Sequence, residues 1–308
     1  MRTQRDVYAH LNNEVLHLAN QGVTINEIHN VYSLPESLKQ NWAAHSYHGS
    51  EEHNSRAVIN RYLGYWDANP ATLMPLSPAD SAPLYVEMMG GAGKIIPKGK
   101  ELYNKGEYFA AVEILNKLVY AEPENQKAKD LLADVYEQIG YQKESPSVRN
   151  SFLAAAYELR NGLPPGEAVS SASADTIRGM STELWLDFLG ISMDSSKVGG
   201  QEFVINLVTP DNKEKFIVEL SNSVLTNIKG EQAEKADLTI TVDRKDLEKV
   251  MGAAATFDSL IKEGKATFEG DHKAFDVLRE AMVGFTPDFE MVPGASPKKG
   301  TSQAKAPL

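Results

Sequence analysis

The chain has no cysteine among its 308 residues. Disulfides and thiolate-ligated metal sites are therefore excluded, and redox compartment is not legible. It also lacks any apolar run near the ~20 residues that span a bilayer, so no membrane span is expected. Positive charge is in deficit: 31 Lys and Arg stand against 42 Asp and Glu, a formal net charge of -11. Such a field repels nucleic acid and anionic membrane surfaces. It leaves open a small anion, which responds to a local pocket. The N-terminus, Met1-Arg2-Thr3-Gln4-Arg5-Asp6, has no signal-peptide core. It turns polar and helical at once, which implies a start in mid-fold. The remainder, 42% hydrophobic and 24% charged, is ordinary for a globular chain of about two domains.

Histidine is scarce but clustered. Six of the seven lie between His10 and His53. The run Tyr47-His48-Gly49-Ser50-Glu51-Glu52-His53-Asn54-Ser55-Arg56 sets two of them beside an arginine. A guanidinium, imidazoles, a phenol and an amide together can hold an oxyanion, because charge-assisted bonds to an anion are about twice as strong as neutral ones. Two other readings stand beside this one. The same side chains can bond backbone groups at a helix start. His45, His48 and His53, with Glu51 or Glu52, can form a metal site, although the spacing is not a standard ligand pattern.

The first half of the chain reads as helices. Val7, Leu11, Val15 and Leu18 predict one over 4–20, stopped at Gly22. Thr24 with Glu27, and Ser33 with Glu36, predict two short helices by capping boxes, with Pro35 in the first turn of the second. His53 to Gly64 predicts another. From Ala92 the pattern becomes paired helices. Gly106-Glu107-Tyr108, Ala111, Leu115, Leu118 and Pro123 match the second half of a tetratricopeptide repeat, and Ala128, Leu132, Tyr136 and Gly140 begin the next. Repeats need neighbours to bury their faces, so this short array predicts packing on other helices or on a second subunit.

Asn161-Gly162-Leu163-Pro164-Pro165-Gly166 opens a linker, after which the period becomes alternating. A helix over 175–190 carries Ile177, Met180, Leu184, Phe188 and Leu189. A four-strand meander follows, then two helices, a strand and a last helix, which makes an α+β sandwich. The expected organisation is thus multidomain: an all-α domain with tetratricopeptide-like helix pairs over 1–165, a linker over 166–174, an α+β domain over 175–290 and a disordered tail over 291–308.

In order along the chain, Gln4-Arg5-Asp6-x-Tyr8, Leu16-His17-Leu18-Ala19-Asn20-Gln21-Gly22, Tyr47-His48-Gly49-Ser50, His53-Asn54, Arg61 to Ala71, Met88-Met89-Gly90-Gly91 and Ala110 to Asn125 resemble the C-terminal half of the zinc-dependent alkyl sulfatases. That family hydrolyses dodecyl sulfate and related esters. Residues 175–290 resemble its last module, which is similar to sterol carrier protein 2. The resemblance implies a dimerisation domain over 1–165, a homodimer, and an apolar-ligand module that takes an alkyl sulfate or another long-chain amphiphile. It implies that His53 helps hold the substrate sulfate, with Tyr47, Asn54 and Arg56 as its neighbours. It also implies what is missing, since the family's H-x-H-x-D-H zinc motif has no counterpart in these residues. The expected function is the dimerisation and substrate-capture portion of an alkyl sulfatase, inactive without a metal-bearing catalytic domain, with no catalytic residue of its own and no cofactor bound by this chain. The alternative is a non-enzymatic dimer that binds lipid-like ligands. Candidate apolar-site residues are Leu186, Leu189, Met251, Phe257, Leu260 and Met282, with head groups near Lys245, Lys249, Lys262 or Lys265. Compartment is not legible, and the intact family allows a secreted or periplasmic one.

Overall fold

The computed structural model describes residues 1–164, 173–285 and 289–292. Most of the expected linker lies outside them. The described residues fall into two units, one of 1–164 with 289–292 and one of 173–285.

The first unit is helical. Its helices are α1 (Arg2–Ala19), α2 (Ile28–Val31), α3 (Glu36–Lys39), α4 (Glu51–Leu63), α5 (Pro70–Leu73), α6 (Pro78–Met88), α7 (Ala92–Asn104), α8 (Tyr108–Ala121), α9 (Gln126–Tyr141) and α10 (Pro146–Asn161). The apolar stripe of α1 buries Val15 against Ile28, Tyr32, Leu34 and Ile59. A larger cluster joins α6 to α10 around Leu115, Leu118, Leu132 and Ile139. Glycine sets two of these contacts. A Cβ added at Gly99 would stand 2.9 Å from Leu115, and one at Gly140 2.9 Å from Leu153. Tyr136 packs beside Phe152, with ring centres 5.6 Å apart. Local capping differs from the expectation at two points. Glu27 accepts from the N–H and hydroxyl of Thr24, but the helix begins after it, at Ile28. Pro35 is the N-cap of α3, one position before the first turn.

Residues 291–292 depart from the tail expected from residue 291. Val292 is buried in the α6–α10 cluster. The N–H groups of Met291 and Val292 donate to the buried carboxylate of Glu158 at 3.0 and 2.9 Å. The remainder of that tail lies outside the described residues.

The second unit is a sheet covered by helices: α11 (Ala174–Gly179), α12 (Thr182–Ser192), β1 (Phe203–Thr209), β2 (Glu214–Ser221), β3 (Val224–Lys229), β4 (Leu238–Val242), α13 (Arg244–Met251), α14 (Phe257–Lys262), β5 (Ala266–Gly270) and α15 (Lys273–Ala281). The expected hairpin forms in register, with Phe203 opposite Leu220, Ile205 opposite Val218 and Leu207 opposite Phe216. The expected meander does not continue. The strand order is β3-β2-β1-β4-β5, and β4 pairs with β1 in parallel. The connection is pinned across the sheet by side chains. Asn206 exchanges two hydrogen bonds with the backbone of Ala233, and the Asp237 carboxylate accepts from the Val204 N–H at 2.7 Å.

The single helix expected over 175–190 is two. Met180 and Ser181 are extended, and the Ser181 hydroxyl caps α12 by accepting from the Leu184 N–H. The break rotates the helix phase. Leu184 and Phe188 are exposed, while Trp185, Leu186 and Leu189 enter the core. Helix α13 is capped from a distant part of the chain. Asp243 occupies the N-cap position but pairs with Lys245 at 2.9 Å. The cap comes instead from Asp211, in the β1–β2 turn, which accepts from the Arg244 N–H at 2.6 Å.

Candidate functional site

Helix α4 presents the residues singled out from the sequence. Ser50 caps it, its hydroxyl accepting from the His53 N–H at 3.2 Å, and Glu51 and Glu52 suit the positive end of the helix dipole. With 3.6 residues per turn, position 54 falls on one side and positions 53 and 56 on another. Asn54 and Glu51 line a cleft of about 250 Å³ whose walls include Tyr32, His45, Tyr47 and His48. His53, Arg56, Ala57 and Asn60 share the exposed outer face. The four predicted contacts are thus split: Tyr47 and Asn54 in the cleft, His53 and Arg56 outside it.

The loop carrying the cleft is held from the α9–α10 turn. His45 Nδ1 lies 2.9 Å from Glu144, the Ser145 hydroxyl donates to the His48 carbonyl at 2.6 Å, and Lys143 pairs with Glu52 at 2.9 Å. Tyr47 stacks on His45 with ring centres 5.8 Å apart. Desolvation, and then the Glu144 carboxylate, push the Tyr47 phenol above its ordinary value, so it remains a donor. Asn54 lies close over Gly49, its amide 2.9 Å from where a Cβ there would stand. Tyr32, in the wall, is pushed up by burial and then by Glu51 and Glu14. The cleft therefore offers neutral donors, with the Glu51 carboxylate opposing an anion among them.

His45, His48 and His53 do not converge on a metal. Among the described residues no group of three or more His, Asp or Glu is placed to hold one. The reason is local: His45 is engaged by Glu144, and His53 lies on the outer face of α4. These residues do not fit a zinc site.

In the second unit, a small apolar slot of about 30 Å³ lies between α12 and the sheet. Leu186, Leu189 and Phe257, anticipated from the sequence, line it, as does Trp185, which was not. The unbroken helix expected over 175–190 turned the wrong residues inward, and only the Ser181 cap signals the break. Three of the four lysines expected at the rim are engaged: Lys245 by Asp243, Lys249 by Asp246 and Lys265 by Glu263.

Residues 24–162 match the family model for alkyl sulfatase dimerisation, and residues 170–294 that for the alkyl sulfatase C-terminal region. The chain carries the dimerisation and C-terminal domains of the alkyl sulfatases. It is 40% identical over 289 residues to a linear primary-alkylsulfatase of Pseudomonas sp, covering 94% of this chain and 43% of that protein. It is 37% identical to an (R)-specific secondary-alkylsulfatase of Pseudomonas sp, with the same coverage of both, and 35% identical to the alkyl/aryl-sulfatase BDS1 of Saccharomyces cerevisiae, spanning 45% of its length. The solved structure of the stereoselective inverting sec-alkylsulfatase Pisa1 from Pseudomonas sp. superposes with a TM-score of 0.86 at 36% identity, covering 94% of this chain and 46% of that one. This chain thus spans less than half the length of these alkyl sulfatases. The cleft and the outer face of α4 belong to the dimerisation domain, and the apolar slot belongs to the C-terminal domain. Among the described residues no helix is long and apolar enough to cross a membrane.

Proposed function

We propose that this chain supplies the dimerisation and substrate-capture portion of an alkyl sulfatase, and that turnover of alkyl sulfates such as dodecyl sulfate requires a zinc-bearing catalytic domain. The observation that carries the proposal is the outer face of α4. The side chains of His53 and Arg56 stand there together, exposed and without a side-chain hydrogen bond or ion pair among the described residues. A cation and an imidazole on one free helix face suit a sulfate presented by another domain better than the cleft does, where Glu51 opposes it. Tyr47 and Asn54 act one step back, shaping the loop that carries this helix. The family match supports a homodimer formed through the helical unit. The close helix contacts at Gly99 and Gly140 support reading its later helices as tetratricopeptide-like pairs. The apolar slot supports a sterol-carrier-protein-2-like role for the C-terminal unit in holding long-chain amphiphiles.

The chain incubated alone with zinc and dodecyl sulfate is expected to release no inorganic sulfate above a buffer control. Addition of a separately produced catalytic domain of the family is expected to give turnover, with His53→Ala and Arg56→Ala each raising KM. Steady turnover by the chain alone, abolished by a chelator, would overturn the assignment. The second reading, a non-enzymatic amphiphile-binding dimer, rests on the slot alone. It prevails if binding of dodecyl sulfate is saturable while no catalytic domain ever associates.

A further inference from the structure

We infer that Lys143 is a positioning residue for sulfate recognition: by holding the Glu52 carboxylate it keeps that group off the Arg56 guanidinium, which is left free for the anion. This rests on the proposed sulfate contact at the outer face of α4 and names the residue that makes the face available.

Helix α4 by itself would cancel its own cation. Glu52 and Arg56 stand one turn apart in it, and an acid four residues before a base is the favoured orientation of a helical ion pair. No other acidic side chain of α4 lies three or four residues from Arg56. Local geometry alone therefore favours a Glu52–Arg56 pair. A different pair forms. Lys143, in the turn between α9 and α10, meets Glu52 at 2.9 Å from 91 residues away in the chain. Arg56 is left exposed, with no side-chain hydrogen bond or ion pair among the described residues.

Glu52 is a charge that needs a partner. Burial alone would raise its pKa. The hydrogen bond and charge of Lys143, with bonds from its own backbone and Ser50, outweigh that effect and hold it below the ordinary carboxylate value. At neutral pH it is therefore ionised. Lys143 is well held for the task. Its side chain is only 25% exposed, and its ammonium lies 5.7 Å from the centre of the Phe109 ring. The next two residues fix the turn, Glu144 against His45 and Ser145 against the His48 carbonyl.

The division of labour follows the chemistry of the two cations. Lysine is a compact point charge that neutralises a carboxylate adequately. Arginine presents a rigid fork of donors that engages two oxygens of an oxyanion at once. With Lys143 on Glu52, the guanidinium stays available for the sulfate. Without it, the carboxylate either turns to Arg56 or remains as an unmatched anion one helical turn away. Both outcomes weaken sulfate binding.

Two readouts test the assignment. In the ¹⁵N-labelled full chain, the Arg56 Nε–H signal is identified by its loss in Arg56→Ala. It is expected to move in Lys143→Met, as Glu52 turns to the guanidinium, and to return to its wild-type position when Glu52→Gln is added. With a separately produced catalytic domain of the family, Lys143→Met is expected to raise KM for dodecyl sulfate about fivefold with kcat little changed, and added Glu52→Gln to restore KM to within about twofold of wild type. A lysine that merely held the turn in place would not be rescued by removing the charge it pairs with. An Arg56 signal unmoved in Lys143→Met, or a raised KM that Glu52→Gln does not restore, would overturn the inference. If the Arg56 signal behaves as expected while Arg56→Ala leaves KM unchanged, the sulfate contact fails and the role of Lys143 in freeing Arg56 stands. The Arg56 signal decides alone where no turnover is reconstituted. Should Lys143→Met fail to fold, Lys143→Gln carries the same expectations.

Discussion

The buried carboxylate of Glu158, in the last helix of the helical unit, accepts the backbone N–H groups of Met291 and Val292 from 133 and 134 residues further along the chain. Val292 packs its side chain into the same cluster. Removing the acceptor leaves two donors unpaired in an apolar setting. Glu158→Ala is expected to destabilise the helical unit by roughly 2 kcal/mol, and Glu158→Gln by about half as much, since one carbonyl oxygen remains. Hydrogen exchange should show the amides of 291 and 292 losing protection in both variants. Unchanged protection in Glu158→Ala would show that packing of Val292 alone holds the segment.

Asp211 caps a helix that is remote in sequence, and this makes the second unit sensitive to acid. Burial alone would raise its pKa. The N–H groups of Arg244, Lys245 and Asn212 outweigh that effect and hold it below the ordinary carboxylate value. A folded pKa below the unfolded one means that the contribution is complete above the unfolded value, about pH 4, and is lost as the pH falls through the lower folded value. Asp211→Ala is expected to cost about 1 kcal/mol at neutral pH, as for loss of a cap, and to flatten the acid limb of a denaturation series. An acid limb identical to wild type would remove Asp211 from the account.

Gly49 and Asn54 occupy nearly the same space. A methyl at Gly49 would stand 2.9 Å from the Asn54 amide, which is the movable end of a side chain. Gly49→Ala should therefore change stability by less than about 1 kcal/mol while driving the amide out of its place in the cleft. The side-chain NH₂ resonances of Asn54 report this. If they stay in place and stability falls by several kcal/mol, the backbone has moved instead.

The dimer proposed for the helical unit has a candidate surface. Tyr65, Met74, Leu76, Leu84 and Met88 are large, apolar and more than half exposed. Large apolar side chains left exposed within a short stretch of sequence are candidates for an interaction surface. Leu84→Asp with Met88→Asp is expected to shift sedimentation from dimer to monomer at micromolar concentration. The far-ultraviolet dichroism should stay the same, because neither side chain is in the core. A dimer of unchanged affinity would place the interface elsewhere.

Local chemistry was legible in the sequence wherever it acts over a few residues. The stripe of Val7, Leu11, Val15 and Leu18 and the stop at Gly22 follow from period and turn residues alone. The collinear motifs likewise identified the family. Tertiary structure decided what depends on partners far apart in the chain. The parallel return of β4 to β1 rests on Asn206 and Asp237, the cap of α13 on Asp211 and the anchoring of Val292 on Glu158. It also decided which side of α4 faces the cleft and which way α12 turns Trp185. A single run of residues announces its candidates together, but helical rotation of about 100° per residue separates them in space, and only packing shows which of them meet.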